Sequence, residues 1–105
     1  MMILVNTETI PGREILEVVG LVKGSTIRAK HVGKDILSGL KHLVGGELTE
    51  YEEMLREARQ IAVNRMAEEA EAKGAGAVVN IRFTSASISQ GAAEVLVYGT
   101  AVKIK

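Results

Sequence analysis

The side chains best suited to bind a metal or carry a proton are two imidazoles, His31 and His42, with Asp35 between them. A divalent cation would accept all three, since imidazole nitrogen and carboxylate oxygen are its ordinary ligands. The spacing argues against a closed site. Eleven positions separate the histidines, so there is no H-x-H or H-x-x-x-H pair to present both rings on one strand or one helix face. His31 falls in a polar stretch after a β-prone segment, and His42 falls on a short apolar-periodic segment beside Leu43. His31, Asp35 and His42 are the candidate metal ligands. The plainer reading, two surface histidines, is preferred.

Other reactive residue types lack the neighbours that would make them work. Glu50, Glu53 and Glu57 share a helical face, but carboxylate-bridged metal helices use Glu-x-x-His, which does not occur here. Acidic residues in a first helical turn are explained by the helix dipole alone. Gly45-Gly46 before a helix start resembles an anion-binding loop. It lacks the Gly-x-x-x-x-Gly-Lys-Ser/Thr pattern, and Glu47, Glu50, Glu52 and Glu53 would repel an anion. Ser87 and Ser89 have no base nearby in sequence. Arg82 and Tyr98 sit in otherwise apolar strand patterns, where a buried Tyr hydroxyl would need a partner. Arg82 or a carboxylate would supply it, as a structural hydrogen bond at a subunit contact. No catalytic residue is assigned, and the chain is expected to be a binding or scaffold protein and not an enzyme. An enzyme with a site built across subunits from Arg59, Arg82, Tyr98 or the glutamates ranks last, because single residues without a base–nucleophile pair carry little weight.

These residues sit on elements that the apolar pattern defines. Ile3–Asn6 reads as a short strand, and Pro11-Gly12 as a turn. Arg13–Arg28 is strongly β-prone. Ile15, Val19 and Leu21 are expected on one face and Leu16, Val18, Gly20 and Val22 on the other, with Gly20 and Gly24 marking a bulge or bend. Ile36, Leu37, Leu40, Leu43 and Val44 have helical spacing, which predicts a short helix over Gly33–Val44 stopped by Gly45-Gly46. Thr49-Glu50-Tyr51-Glu52 forms a capping box for a long helix running to Lys73. Its apolar stripe is Leu48, Tyr51, Met54, Leu55, Ala58, Ile61, Ala62, Met66 and Ala70, and Gly74 stands where a left-handed cap belongs. Val79, Ile81 and Phe83 then alternate with Asn80, Arg82 and Thr84 in a strand. A polar link spans Ser85–Gly91, and a last strand has Val95, Val97, Gly99 and Ala101 opposite Leu96, Tyr98, Thr100, Val102 and Ile104.

The expected fold class is therefore α+β. Its order is strand, short helix, long helix, strand, strand, with a small antiparallel sheet and a helix on one face. Residues 1–105 form a single domain, as the length implies. The last strand and the strand from Arg13 are apolar on both sides. Helices laid on one sheet face would leave a strip of these side chains in water, so the subunit is expected to associate with copies of itself.

Composition removes several functional classes. Thirteen basic and thirteen acidic residues cancel, leaving no field to gather nucleic acid or an anionic membrane. One Phe, two Tyr and no Trp give little to stack on single-stranded bases. The absence of Cys excludes disulfides, zinc fingers, iron–sulfur sites and thiol catalysis. Apolar runs are far too short to span a bilayer, and Met1–Val5 lacks the length and basic flank of a signal peptide. The expected location is the cytoplasm, with neither nucleic acid nor membrane as partner.

Several segments together resemble the YbjQ-like family: Val44-Gly45-Gly46-Glu47, Tyr51, Ala58-Arg59-Gln60-Ile61-Ala62, Gly74-Ala75-Gly76-Ala77-Val78-Val79 and Tyr98-Gly99-Thr100-Ala101-Val102. The resemblance covers nearly the whole chain. Gly76 departs from it, because the family more often has Asn after Gly-Ala, and this loosens the turn. The resemblance implies a dodecin-like subunit in a ring-shaped homopentamer, and a heavy-metal-binding description that would make a divalent metal the cofactor. Neither histidine belongs to a motif of that family, so the description is not carried onto residues. The matching Gly, Ala and apolar positions read as requirements of fold and assembly.

Overall fold

The protein was analysed as a computed structural model, which describes residues 2–29, 49–89 and 91–105. The short helix expected over Gly33–Val44, its Gly45-Gly46 stop, and His31, Asp35 and His42 lie outside the described residues.

The described elements are β1 (Ile3–Leu4), β2 (Ile15–Ala29), α1 (Thr49–Ala72), β3 (Ala77–Ser89) and β4 (Ala92–Ile104). They form a four-stranded sheet in the order β1-β3-β4-β2. The three long strands are antiparallel, as expected, while β1 joins β3 in parallel, which makes the sheet mixed. The polar link expected over Ser85–Gly91 is mostly strand. The alternation of Thr, Ser and Ile in this stretch suits an edge strand, and the chain reverses only between Ser89 and Ala92.

α1 starts at Thr49, where the capping box places it. It ends at a left-handed Gly74, where the Ala75 amide donates to the Ala70 carbonyl at 3.0 Å, the bond pattern of a Schellman cap. Its buried stripe is Met54, Ala58, Ala62, Met66 and Ala70, one residue every four. Leu55 and Ile61, expected in the core, are only half-buried, and Glu53, Glu57 and Glu68 are exposed. Three alanines let the helix approach the sheet closely. Gly24 is the point of contact: a Cβ there would collide with the Ala62 carbonyl oxygen and lie 2.5 Å from the Met66 nitrogen. Gly24 is therefore a helix seat, and the irregularities of β2 fall earlier, between Ile15 and Glu17 and between Val18 and Gly20.

Those bulges change which residues share a face. Val19 and Val22 both pack into the cluster under α1, while Leu21 is exposed. Bulges insert an extra residue and so reverse the alternation beyond them. β3 does the same. Its register shifts between Val79 and Arg82, and Asn80 there has φ 53°, a left-handed conformation that Asn tolerates better than most residues. Val79, expected beside Ile81, lies instead in a second cluster on the opposite sheet face, with Ile10, Ala77 and Val102. Ile81 packs under α1 with Val78, Val95, Val97 and Ala101. The N-terminal segment thus covers part of the strip that an α1-only cover would leave bare, and Ile3, Val5, Ile15 and Ile104 pack against that second cluster.

Candidate functional site

A helix is about 10 Å across and neighbouring strands are about 4.8 Å apart, so one helix covers about two strands. α1 lies over β2 and β4, where its stripe meets Val22, Val95 and Val97. The α1 side of β3 is left open as a groove. Its floor is β3, and one wall is the α1 row Leu55, Arg59 and Val63, four residues apart. At one end the opposite wall is the segment Leu4–Thr7, enclosing about 500 Å³ with Val63, Ile81 and Phe83. Beyond Phe83 the groove continues as a smaller hollow of about 180 Å³ between Leu55, Arg59, Ser85 and Val95. Phe83 belongs to both hollows and is half exposed at 51%.

The groove is set by the bulge at Asn80, which turns Phe83 to the α1 side. The Asn80 amide donates to the Thr7 carbonyl at 3.0 Å and the Ile81 amide to the Val5 carbonyl at 3.2 Å. Arg82 holds the same junction, its Nη1 donating to the carbonyls of Asn6 and Ile81, each at 2.9 Å. Arg82 and Tyr98 face each other across the β3–β4 register. Tyr98 is not buried, being 38% exposed, so its hydroxyl does not need the partner that an interior position would demand.

The charged groups nearby serve structure. Arg28 of β2 pairs with Glu57 of α1, and Arg65 donates to the Ser25 carbonyl at 2.7 Å, so two arginine contacts tie α1 to β2. Glu69 and Lys73, one helical turn apart, pair at 3.5 Å, whereas Arg65 points across to the sheet. Among the described residues no group of three or more His, Asp or Glu is placed to hold a metal ion. The groove offers an apolar floor, one arginine and backbone edges, which suit packing and strand addition. Sequence reasoning missed it because the parity switch at Asn80 has no marker beyond an Asn in a strand.

The fold and site define an α+β protein with one helix on a mixed sheet and an open groove beside it, with no assembled catalytic group among the described residues. Residues 2–105 match the YbjQ family, described as "Putative heavy-metal-binding". The chain is 68% identical over 103 residues to a UPF0145 protein of Clostridium novyi, covering 98% of this chain and 99% of that protein. It is 61% identical over 103 residues to a UPF0145 protein of Methanosarcina acetivorans (98% and 97% covered) and 59% identical over 106 residues to one of Thermus thermophilus (100% and 93%). This chain belongs to that family, the UPF0145 or YbjQ-like proteins. A crystal structure of a protein of unknown function from the DUF74 family of Pediococcus pentosaceus has the same fold, with a TM-score of 0.62 at 15% identity over 99% of this chain and 98% of that one.

Proposed function

We propose that this chain is a non-catalytic binding or scaffold protein that works as a closed homo-oligomeric ring in the cytoplasm, a pentamer on the family resemblance. The carrying observation is the set of large apolar side chains on both outer long strands. Leu16, Val18, Leu21 and Ile27 on β2 are 58–65% exposed, and Phe83 and Ile88 on β3 are more than half exposed. Each such side chain withdrawn from water contributes roughly 1.5–3 kcal/mol before entropy costs, so a few per subunit suffice for association. The test is native mass spectrometry with light scattering on untagged protein at micromolar concentration. A single closed species is expected, and a stable folded monomer would overturn the reading.

A second reading, metal binding, is favoured by the family's description. Its candidate ligands remain His31, Asp35 and His42. Two imidazoles are too few for a closed four-ligand site in one subunit, although a ring multiplies each around its axis. Calorimetry with Zn²⁺ and Ni²⁺ on the wild type and on the variant His31→Ala with His42→Ala decides between them. Unchanged uptake is expected. Micromolar affinity that disappears in the double variant would establish the metal reading.

A further inference from the structure

We propose that the outer edge of β3, from Phe83 to Ser87, takes up β2 of a second copy of this chain as an added strand. The inference rests on the oligomeric reading above and says which surfaces make the contact. β1 flanks only the first part of β3: the Ile3 and Val5 amides donate to the Gly76 and Val78 carbonyls, and the Ile81 amide donates back to Val5. The Ile81 amide thus points to the β1 side, away from β4, and backbone direction alternates along a strand. The amides and carbonyls of Phe83 and Ser85, in phase with Ile81, therefore point away from the sheet. Among the described residues no strand meets them. From Arg82 to Ile88 every side chain is exposed on both faces, although the β4 residues beside them, Ala93 and Val95, are buried.

The opposite edge of the sheet is β2, which among the described residues is paired only on its β4 side. One molecule thus carries two open edges facing in opposite directions. Long edges in monomers are guarded by Pro, by charge or by a covering element. Neither of these stretches contains Pro. Arg82, at the head of the β3 stretch, is turned to the Asn6 carbonyl, and in β2 Glu17 pairs with Lys103 and Arg28 with Glu57, so Lys23 is the one charge of these edges without such a contact among the described residues. Joining β3 of one copy to β2 of the next satisfies both edges with the same contact. It also gives the exposed aliphatic side chains of β2, Leu21 and Ile27 among them, a neighbouring strand to pack against. Two β3 edges meeting about a dyad would instead leave β2 and its exposed aliphatics in water. A contact between unlike edges is head-to-tail, and it forms a ring where the rotation between copies closes and a filament where it does not.

The test begins with the full-length untagged chain. A monomeric wild type would overturn the oligomeric reading and this proposal together. Given an oligomer, Ser85→Pro removes an outward amide while leaving every pairing with β4, a substitution edge strands accept. It should bring the mass down to that of the subunit with the far-ultraviolet dichroism retained. An unchanged assembly would overturn the edge contact and leave the oligomer standing. The second measurement does not depend on Pro being accepted. The chain has no cysteine, so Ser85→Cys carries a single thiol for a benzophenone maleimide. After mixing isotopically light and heavy subunits, cross-linked peptides should pair the β3 of one label with the β2 of the other. Cross-links confined to one label, or reaching another segment, would overturn the proposal.

Discussion

The floor under α1 and the outer half of β3 belong to the same sheet and lie on adjacent strands, yet one is dry and the other bare. Val22, Gly24, Thr26, Val95 and Val97 are buried beneath the helix, whereas Phe83, Ser85 and Ser87, on the next strand, are exposed. Residue type alone does not separate them. A Thr and a Gly lie in the buried set, and the largest side chain of the two lies in the exposed one. What separates them is the width of one helix and the alanines that draw it down onto β2 and β4. Burial here is decided by where the cover lands, and a fold with one described helix on a wide sheet must leave an open flank.

Substitutions on the two sides should differ accordingly. Gly24→Val should act most strongly, because its side chain would meet α1 backbone, which cannot rotate away. A loss of about 3 kcal/mol or more is expected in chemical denaturation, at the upper end of overpacking effects. Met66→Ala, at a fully buried position, should cost about 2–5 kcal/mol by opening a cavity in the same seat. A cost near zero for either would mean that α1 does not bear on this floor.

Asn80→Val sharpens the boundary between the regions, because a β-branched residue resists the left-handed conformation that switches the parity of β3. About 1–3 kcal/mol should be lost, with Asn80→Gly close to neutral. Phe83→Ala lies on the bare side and should lower the stability of the subunit by only about 1 kcal/mol, since half of the ring is already in water. Its larger effect should be on assembly, read as a fall in mass on dilution. Glu57→Ala, removing the exposed pair with Arg28, should change the unfolding midpoint least, within about 0.5 kcal/mol. A larger change would make that contact part of the α1 seat.

Much of the architecture was legible because it rests on local chemistry. The long helix, its start at Thr49 and its Gly74 stop follow from capping and 3.6-residue spacing, which depend on near neighbours in sequence. The stripe was legible in outline, and the structure narrows it to the positions spaced by four, because only the helix face that meets β2 and β4 is fully covered, and Leu55 and Ile61, on its two flanks, are half covered. The site was less legible. Val79, Ile81 and Phe83 read as one face of a regular strand, since nothing local records that Asn80 takes a left-handed turn there.

The sequence by itself therefore determined the long helix, the antiparallel pairing of the three long strands and the family, through spacing, capping and residue runs. Only the tertiary structure decided which residues share a face, that β1 joins in parallel, and that the groove lies beside Phe83. Bulges reverse alternation through contacts between distant segments, as when the Asn80 and Ile81 amides find the carbonyls of Thr7 and Val5. A strand's own side chains carry no signal for a hydrogen bond made more than seventy positions away.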